Sequence, residues 1–135
     1  MEELMGLKDN DVECIEKDEG VLFNDNFLVT HAEIIRAHSG WTAKGMSDKH
    51  GGSGIHGHSH RLGSYYKTNR SGMYGWGENG CLCNMHPDYM VHPNWQQGFS
   101  VVTFTHGRFW VEQIPIIGRK FIYGGRIYGS GGKKR

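Results

Sequence analysis

Short apolar runs, separated by glycines and turn-forming residues, dominate this chain. Residues 21–23 and 27–30 are largely apolar and flank Asn24-Asp25-Asn26. This arrangement predicts a β-hairpin, because Asn and Asp tolerate the backbone angles of tight turns. The runs at 99–104 and 109–114 flank a turn at 105–108 and predict a second hairpin. Further short strands are predicted at 54–56, 64–68, 120–123 and 126–128.

Two segments depart from this strand pattern. Residues 41–50 fit a short helix, with Ser39 as the N-cap and Gly51 as the C-cap. The segment 84–98 contains Pro87 and Pro93 and predicts an ordered loop. The expected fold class is therefore mixed α and β, with mostly short strands and one or two helices.

Composition places limits on organisation and location. The 135 residues fit one domain over 1–128, followed by a flexible basic tail at 129–135. A formal net charge of +1 argues against a nucleic-acid-binding factor. The three cysteines form no CxxC pair, and no apolar run approaches the length of a membrane span. With no signal-peptide pattern at its start, the chain is expected to be reduced, cytoplasmic and without a membrane partner.

Histidines are the main candidates for chemistry. His58 and His60 follow Gly57 and stand two residues apart, so that both imidazoles can point at a shared metal site. Taken alone, the pair fits metal ligation or hydrogen-bonding surface histidines equally well. His31 strengthens the metal interpretation, because it follows the apolar run 27–30 and so lies at the carboxyl end of a predicted strand.

In combination, these residues are similar to a known family. The apolar strand ending at His31, a helical segment, and then Gly57-His58-Ser59-His60-Arg61 resemble the last two motifs of the calcineurin-like metallophosphoesterases. The segments 74–81 and 94–102 are similar to the bacterial and phage branch of that family. The resemblance extends over about 12–128.

The resemblance implies a fold and an activity. The family fold is a four-layer α/β/β/α sandwich, of which this chain would form the β-rich, C-terminal half. His31 and His58 would bind one divalent metal and His60 a second, with manganese, iron or zinc as the candidates. Arg61 would bind phosphate, although a surface arginine fits it as well. The implied reaction is hydrolysis of a phosphomonoester or phosphodiester, including nucleotides and nucleic acids, by a metal-activated water in a bacterial or phage-infected cell.

The family's opening motifs are missing from this chain. Asp-x-His, Gly-Asp and Gly-Asn-His do not occur in order, so that no general acid is identified. Asp48-Lys49-His50 has the spacing of the first motif but falls in the predicted helix. We therefore expect an incomplete or split domain with an exposed apolar edge. Such a chain would pair with a second polypeptide, pair with another copy or be a truncated gene product. The alternative is a non-catalytic binding or scaffold module that retains the fold.

Three other residues have structural interpretations. His56 precedes the histidine pair and is expected to pack or hydrogen-bond nearby. Cys81 and Cys83 are expected to alternate along a strand, so that both face one side as small buried residues.

Overall fold

The expected elements form around one mixed sheet. The structure is a computed structural model that describes residues 11–13, 15 and 20–129. Its elements in chain order are β1 (Val21–Phe23), β2 (Phe27–His31), α1 (Trp41–His50), β3 (Ser53–Gly57), β4 (Gly63–Asn69), β5 (Gly72–Glu78), β6 (Gly98–Thr105), β7 (Arg108–Pro115), β8 (Phe121–Tyr123) and β9 (Arg126–Tyr128).

Three parallel strands form the centre of the main sheet. Its order is β1-β2-β3-β5-β4, in which β2, β3 and β5 run parallel and the edge strands β1 and β4 run antiparallel to their neighbours. Parallel neighbours need a crossover, which α1 supplies between β2 and β3. The register pairs His31, the last residue of β2, with Gly57, the last residue of β3.

Helix α1 covers one face of this sheet. Its buried residues Ala43 and Met46 pack with Ala32 and with Trp76 of β5. Leu28 of β2 is partly buried against the same cluster. Because side chains alternate along a strand, Phe27 and Leu28 of β2 face opposite sides of the sheet.

The β6–β7 hairpin covers the other face. Phe27 is fully buried, and its ring centroid lies 5.8 Å from that of Phe104 and 4.6 Å from that of Phe109. The Gln113 side chain donates hydrogen bonds to the carbonyls of Gly63 and Glu78 on the main sheet. The domain therefore has three layers: a helix, a five-stranded sheet and a two-stranded sheet.

Most of the sequence-predicted elements are confirmed. Both hairpins, the helix over 41–50 and the short strands occur where they were expected, and the described residues form a small, sheet-rich α/β domain with one helix. The prediction missed β5. In the run Tyr74-Gly75-Trp76-Gly77, aromatic residues alternate with glycines, which are uncommon in strands, so that the extended conformation was not recognised. Residues 1–10 and 130–135, which include most of the expected tail, lie outside the described residues.

The predicted N-cap is wrong. Gly40 is the N-cap, with a left-handed backbone (φ 81°) and no side chain to cap the helix. The Ser39 hydroxyl instead donates to the carbonyl of Leu62. The Gly40 amide donates to Glu78 Oε2 on β5 at 2.8 Å, so that a carboxylate distant in sequence occupies the electropositive end of the helix.

Apolar side chains are exposed on the edge strand β1. β1 is the first strand of the sheet, and the side chains of Leu22 and Phe23 are 56% and 43% exposed. Ile122 and Ile127 on the small β8–β9 hairpin are also exposed. Within the described part of the chain, no helix has the length and apolarity required to cross a membrane.

A substitution at Gly54 on β3 tests how closely this strand packs against β2 and the buried Trp76. A Cβ at Gly54 would lie 2.5 Å from the Leu28 carbonyl oxygen and 2.9 Å from the Trp76 ring. We expect Gly54→Ala to lower the free energy of unfolding by about 2 kcal/mol, because neither neighbour can move cheaply. Gly57→Ala is the matched control on the same strand, since its Cβ would meet nothing within 4 Å. Equal urea midpoints for the two variants would contradict this interpretation.

Candidate metal centre

The carboxyl ends of β2 and β3 bring two histidines together. Because His31 is paired with Gly57, the next residue along, His58, emerges beside it. The two imidazole centroids are 4.2 Å apart with an interplanar angle of 51°. Both residues are exposed. Two imidazoles therefore stand next to each other at the edge of a parallel sheet, where open α/β sheets bind their ligands.

The loop that follows β3 is tightly wound. His58 and His60 have φ values of 81° and 58°, a left-handed conformation that costs a residue with a side chain about 1 kcal/mol or more. Hydrogen bonds hold the loop on both sides: the Asn79 amide donates to the His56 carbonyl at 2.8 Å, and the Gln96 amide donates to the His60 carbonyl at 2.8 Å. Backbone hydrogen bonds on both sides thus hold the loop that carries the two histidines.

His60 lies among a different set of side chains from His31 and His58. Its ring packs edge-to-face on Trp95 with centroids 4.4 Å apart. Its Nδ1 is 3.8 Å from Cys83 Sγ. Among the described residues, His60, Cys81 and Cys83 form the group of three whose ligand atoms all lie within 4.8 Å of one another, and neither His31 nor His58 belongs to it.

The expectation for the two cysteines is wrong for Cys83. Cys81 is buried, but Cys83 is exposed. The chain leaves the main sheet after β5, and Cys81 forms only an isolated bridge with Gln97, so that no regular strand aligns the two thiols toward a buried face. Sequence reasoning therefore missed these candidate ligands. The Cys-x-Cys spacing is the signal that could have indicated them.

His56 has a structural role, as expected. It is 1% exposed, and its Nδ1 accepts a hydrogen bond from Trp76 Nε1 at 2.9 Å. Burial lowers the pKa of His56 from 6.5 to about 4, with smaller contributions from the nearby His31 and His58. His56 is therefore neutral at pH 7, where it links the site loop to the core.

Three buried polar atoms near this edge have no hydrogen-bond partner within the described ranges: His56 Nε2, Ser59 Oγ and Glu78 Oε1. Ser59 lies in the loop between the two histidines, and Glu78 is the β5 register partner of His56. Each such atom costs about 1–3 kcal/mol of stability. Buried polar groups thus lie close to the loop that carries the two histidines.

Two other sequence candidates lie outside the histidine pair. Arg61 donates to the backbone carbonyls of Asn94 and Arg36, so that its guanidinium holds the surrounding loops. Asp48 lies on α1, as expected, where it pairs with Lys44 and Lys67. The resemblance of Asp48-Lys49-His50 to an opening motif is thus limited to its spacing.

No family model and no curated protein matches the chain. A crystal structure of a Vps29 single mutant from Entamoeba histolytica is similar, with a TM-score of 0.48 and 12% sequence identity. The match covers 88% of this chain and 61% of that chain, so that the present chain spans about three fifths of the length of this structural neighbour.

The shifted pKa of His56 predicts a pH dependence of stability in the metal-free protein. The unfolded chain binds a proton near pH 6.5, whereas folded His56 resists protonation down to about pH 4. The contribution of neutral, buried His56 to the free energy of unfolding is therefore complete above pH 6.5 and is lost as the pH falls toward 4. We expect a loss of about 2 kcal/mol in unfolding free energy between pH 7 and pH 5.

Urea denaturation in the presence of a chelator measures this effect. His56→Asn is the reference, because an amide oxygen can still accept the hydrogen bond from Trp76 but does not titrate. The loss between pH 7 and pH 5 is expected to be smaller by about 2 kcal/mol in this variant. The same loss in both proteins would show that His56 is not its source.

Proposed function

We propose that this chain is a metal-binding module related to the calcineurin-like phosphoesterases and that it forms the β-rich half of their four-layer sandwich. His31 and His58 are the proposed ligands of one divalent metal. The observation that carries the proposal is the contact between their imidazoles at the carboxyl ends of two adjacent parallel strands. The sequence pattern from β2 to Arg61 supports the choice of family.

The donor set suits a divalent transition metal. Neutral imidazole suits iron and zinc, and manganese binds beside it where carboxylate or water oxygens complete the ligand set. The exposure of both rings leaves room for water and a phosphoryl oxygen beside them. When bound, such a metal would supply an activated water and polarise the phosphoryl group. The chain's own contribution is to orient the two rings, through the fixed strand register and the hydrogen bonds of the loop.

Hydrolysis requires more than these two histidines. In the ranges that the structure describes, no aspartate or glutamate joins His31 and His58 in a group of three ligand atoms. We therefore propose that a second polypeptide, or a second copy of this chain, supplies carboxylate ligands and the general acid. The exposed apolar edge at β1 offers a surface for that association. Substrate would be a phosphomonoester or phosphodiester such as a nucleotide.

The lack of a neighbouring carboxylate also favours a second candidate, a binding or scaffold module without catalysis. The two functions differ in what a partner adds. A phosphoesterase half gains hydrolysis of an aryl phosphodiester when it is combined with a partner that carries Asp-x-His. A scaffold module forms the complex without any gain in hydrolysis.

Manganese binding by the chain alone tests the histidine pair. We expect His58→Ala and His31→Ala each to weaken Mn²⁺ binding by about tenfold or more, because each removes one of two protein ligands. The loss of the electron paramagnetic resonance signal of free Mn²⁺ measures binding directly. His106→Ala is the control, since His106 is exposed in the β6–β7 turn. Undiminished binding in the His58 variant would refute the proposed pair.

A further inference from the structure

A second cluster of metal-ligating side chains lies on the connection that follows β5. The ligand atoms of His60, Cys81 and Cys83 all lie within 4.8 Å of one another. His60 Nδ1 and Cys83 Sγ are 3.8 Å apart. A tetrahedral zinc, with Zn–S of about 2.3 Å and Zn–N of about 2.0 Å, separates its ligand atoms by roughly 3.5–3.8 Å. These side chains therefore already lie close to the separations that such an ion requires.

The surroundings hold these ligands in place. The left-handed backbone of His60 and its contact with Trp95 turn the ring away from the β2 edge and toward the cysteines. Cys81 is fixed by backbone hydrogen bonds with Gln96 and Gly98. The carbonyl of Cys83 accepts a hydrogen bond from the Gln97 side chain. Each ligand is therefore anchored by a neighbouring loop, as metal ligands usually are.

The donor types select the class of metal. Two thiolates and an imidazole are the ligands that zinc and other thiophilic ions prefer, whereas manganese and magnesium prefer oxygen. A divalent ion with two thiolates is neutral overall, which suits a cluster that includes the buried Cys81. The thioether of Met85 is a further soft donor, with its sulfur 3.9 Å from Cys81 Sγ.

We infer that His60, Cys81 and Cys83 bind a thiophilic divalent ion, zinc above all, at a site distinct from the His31–His58 pair. The ion fastens the loop after β3 to the connection after β5. His60 then belongs to a thiolate site, and the family-derived assignment of His60 to a second metal beside His58 is replaced. This inference does not depend on the proposed phosphoesterase function.

Cobalt substitution provides the test. The experiment uses reduced protein with the substitution Cys14→Ser, so that its two remaining cysteines are Cys81 and Cys83 of the cluster. Anaerobic titration with Co²⁺ is expected to produce the near-ultraviolet thiolate-to-cobalt charge-transfer band and the strong visible bands of a tetrahedral ion. One equivalent of Zn²⁺ should remove both. Zinc is also expected to raise the melting temperature by several degrees, because it binds only the folded chain.

Variants assign the ligands. Cys83→Ser changes an exposed residue and keeps the fold accessible to measurement even if Cys81→Ser does not fold. It should lose about half of the charge-transfer intensity and weaken Zn²⁺ binding by more than about tenfold. His60→Ala should weaken Zn²⁺ binding to a similar extent and distort the visible bands. The control, His106→Ala, changes an exposed histidine outside both clusters and should keep the full cobalt spectrum. His58→Ala should keep the thiolate-to-cobalt charge-transfer band.

Three results would overturn the inference. The first is cobalt bound without a charge-transfer band. The second is a band that Cys83→Ser leaves unchanged. The third is a charge-transfer band lost in His58→Ala, which would show that the cysteines bind their ion together with His58 and not with His60. The manganese experiment on His31 and His58 can succeed or fail independently of all three.

Discussion

The parallel pairing of β2 with β3 is the constraint on which the rest of the structure depends. It requires a crossover, and α1 supplies that crossover while covering the apolar face that includes Leu28. Both strands therefore end at the same edge, where the pairing of His31 with Gly57 sets the position of His58. A register shift of one residue would turn every side chain of β3 to the other face and separate the two imidazoles.

Buried polar contacts connect this edge to the helix and to the core. Trp76 packs in the apolar cluster and also donates its ring N–H to His56, two residues before His58. Two residues after Trp76, Glu78 accepts the amide of Gly40 at the start of α1. The direction of the histidine loop and the position of the helix thus depend on the same strand, β5. A change in the core at Trp76 would be transmitted to both.

Local patterns were sufficient to predict most of the fold but only part of the site. The turn at Asn24–Asn26 and the bounds of α1 follow from backbone preferences that act over a few residues. The cap of α1 could not be predicted, because Glu78 lies far away in sequence and reaches Gly40 only in the folded chain. The same contrast holds for the candidate site. His31 was predictable as the end of a strand, because the apolar run before it is local. The approach of His60 to Cys83 was not, because it depends on a loop with no regular period.

The left-handed residues give two histidines that stand two apart in the sequence different surroundings. In an extended strand, side chains two residues apart point the same way, and His58 and His60 would share one site. Here both residues have positive φ, and Ser59 between them is buried. His58 therefore faces the imidazole of His31, while His60 faces sulfur. Imidazole nitrogens such as those of His31 and His58 suit borderline metals, whereas the thiols beside His60 suit thiophilic ions. The spacing in the sequence predicts metal binding, and the backbone conformation decides which potential ligands each histidine meets.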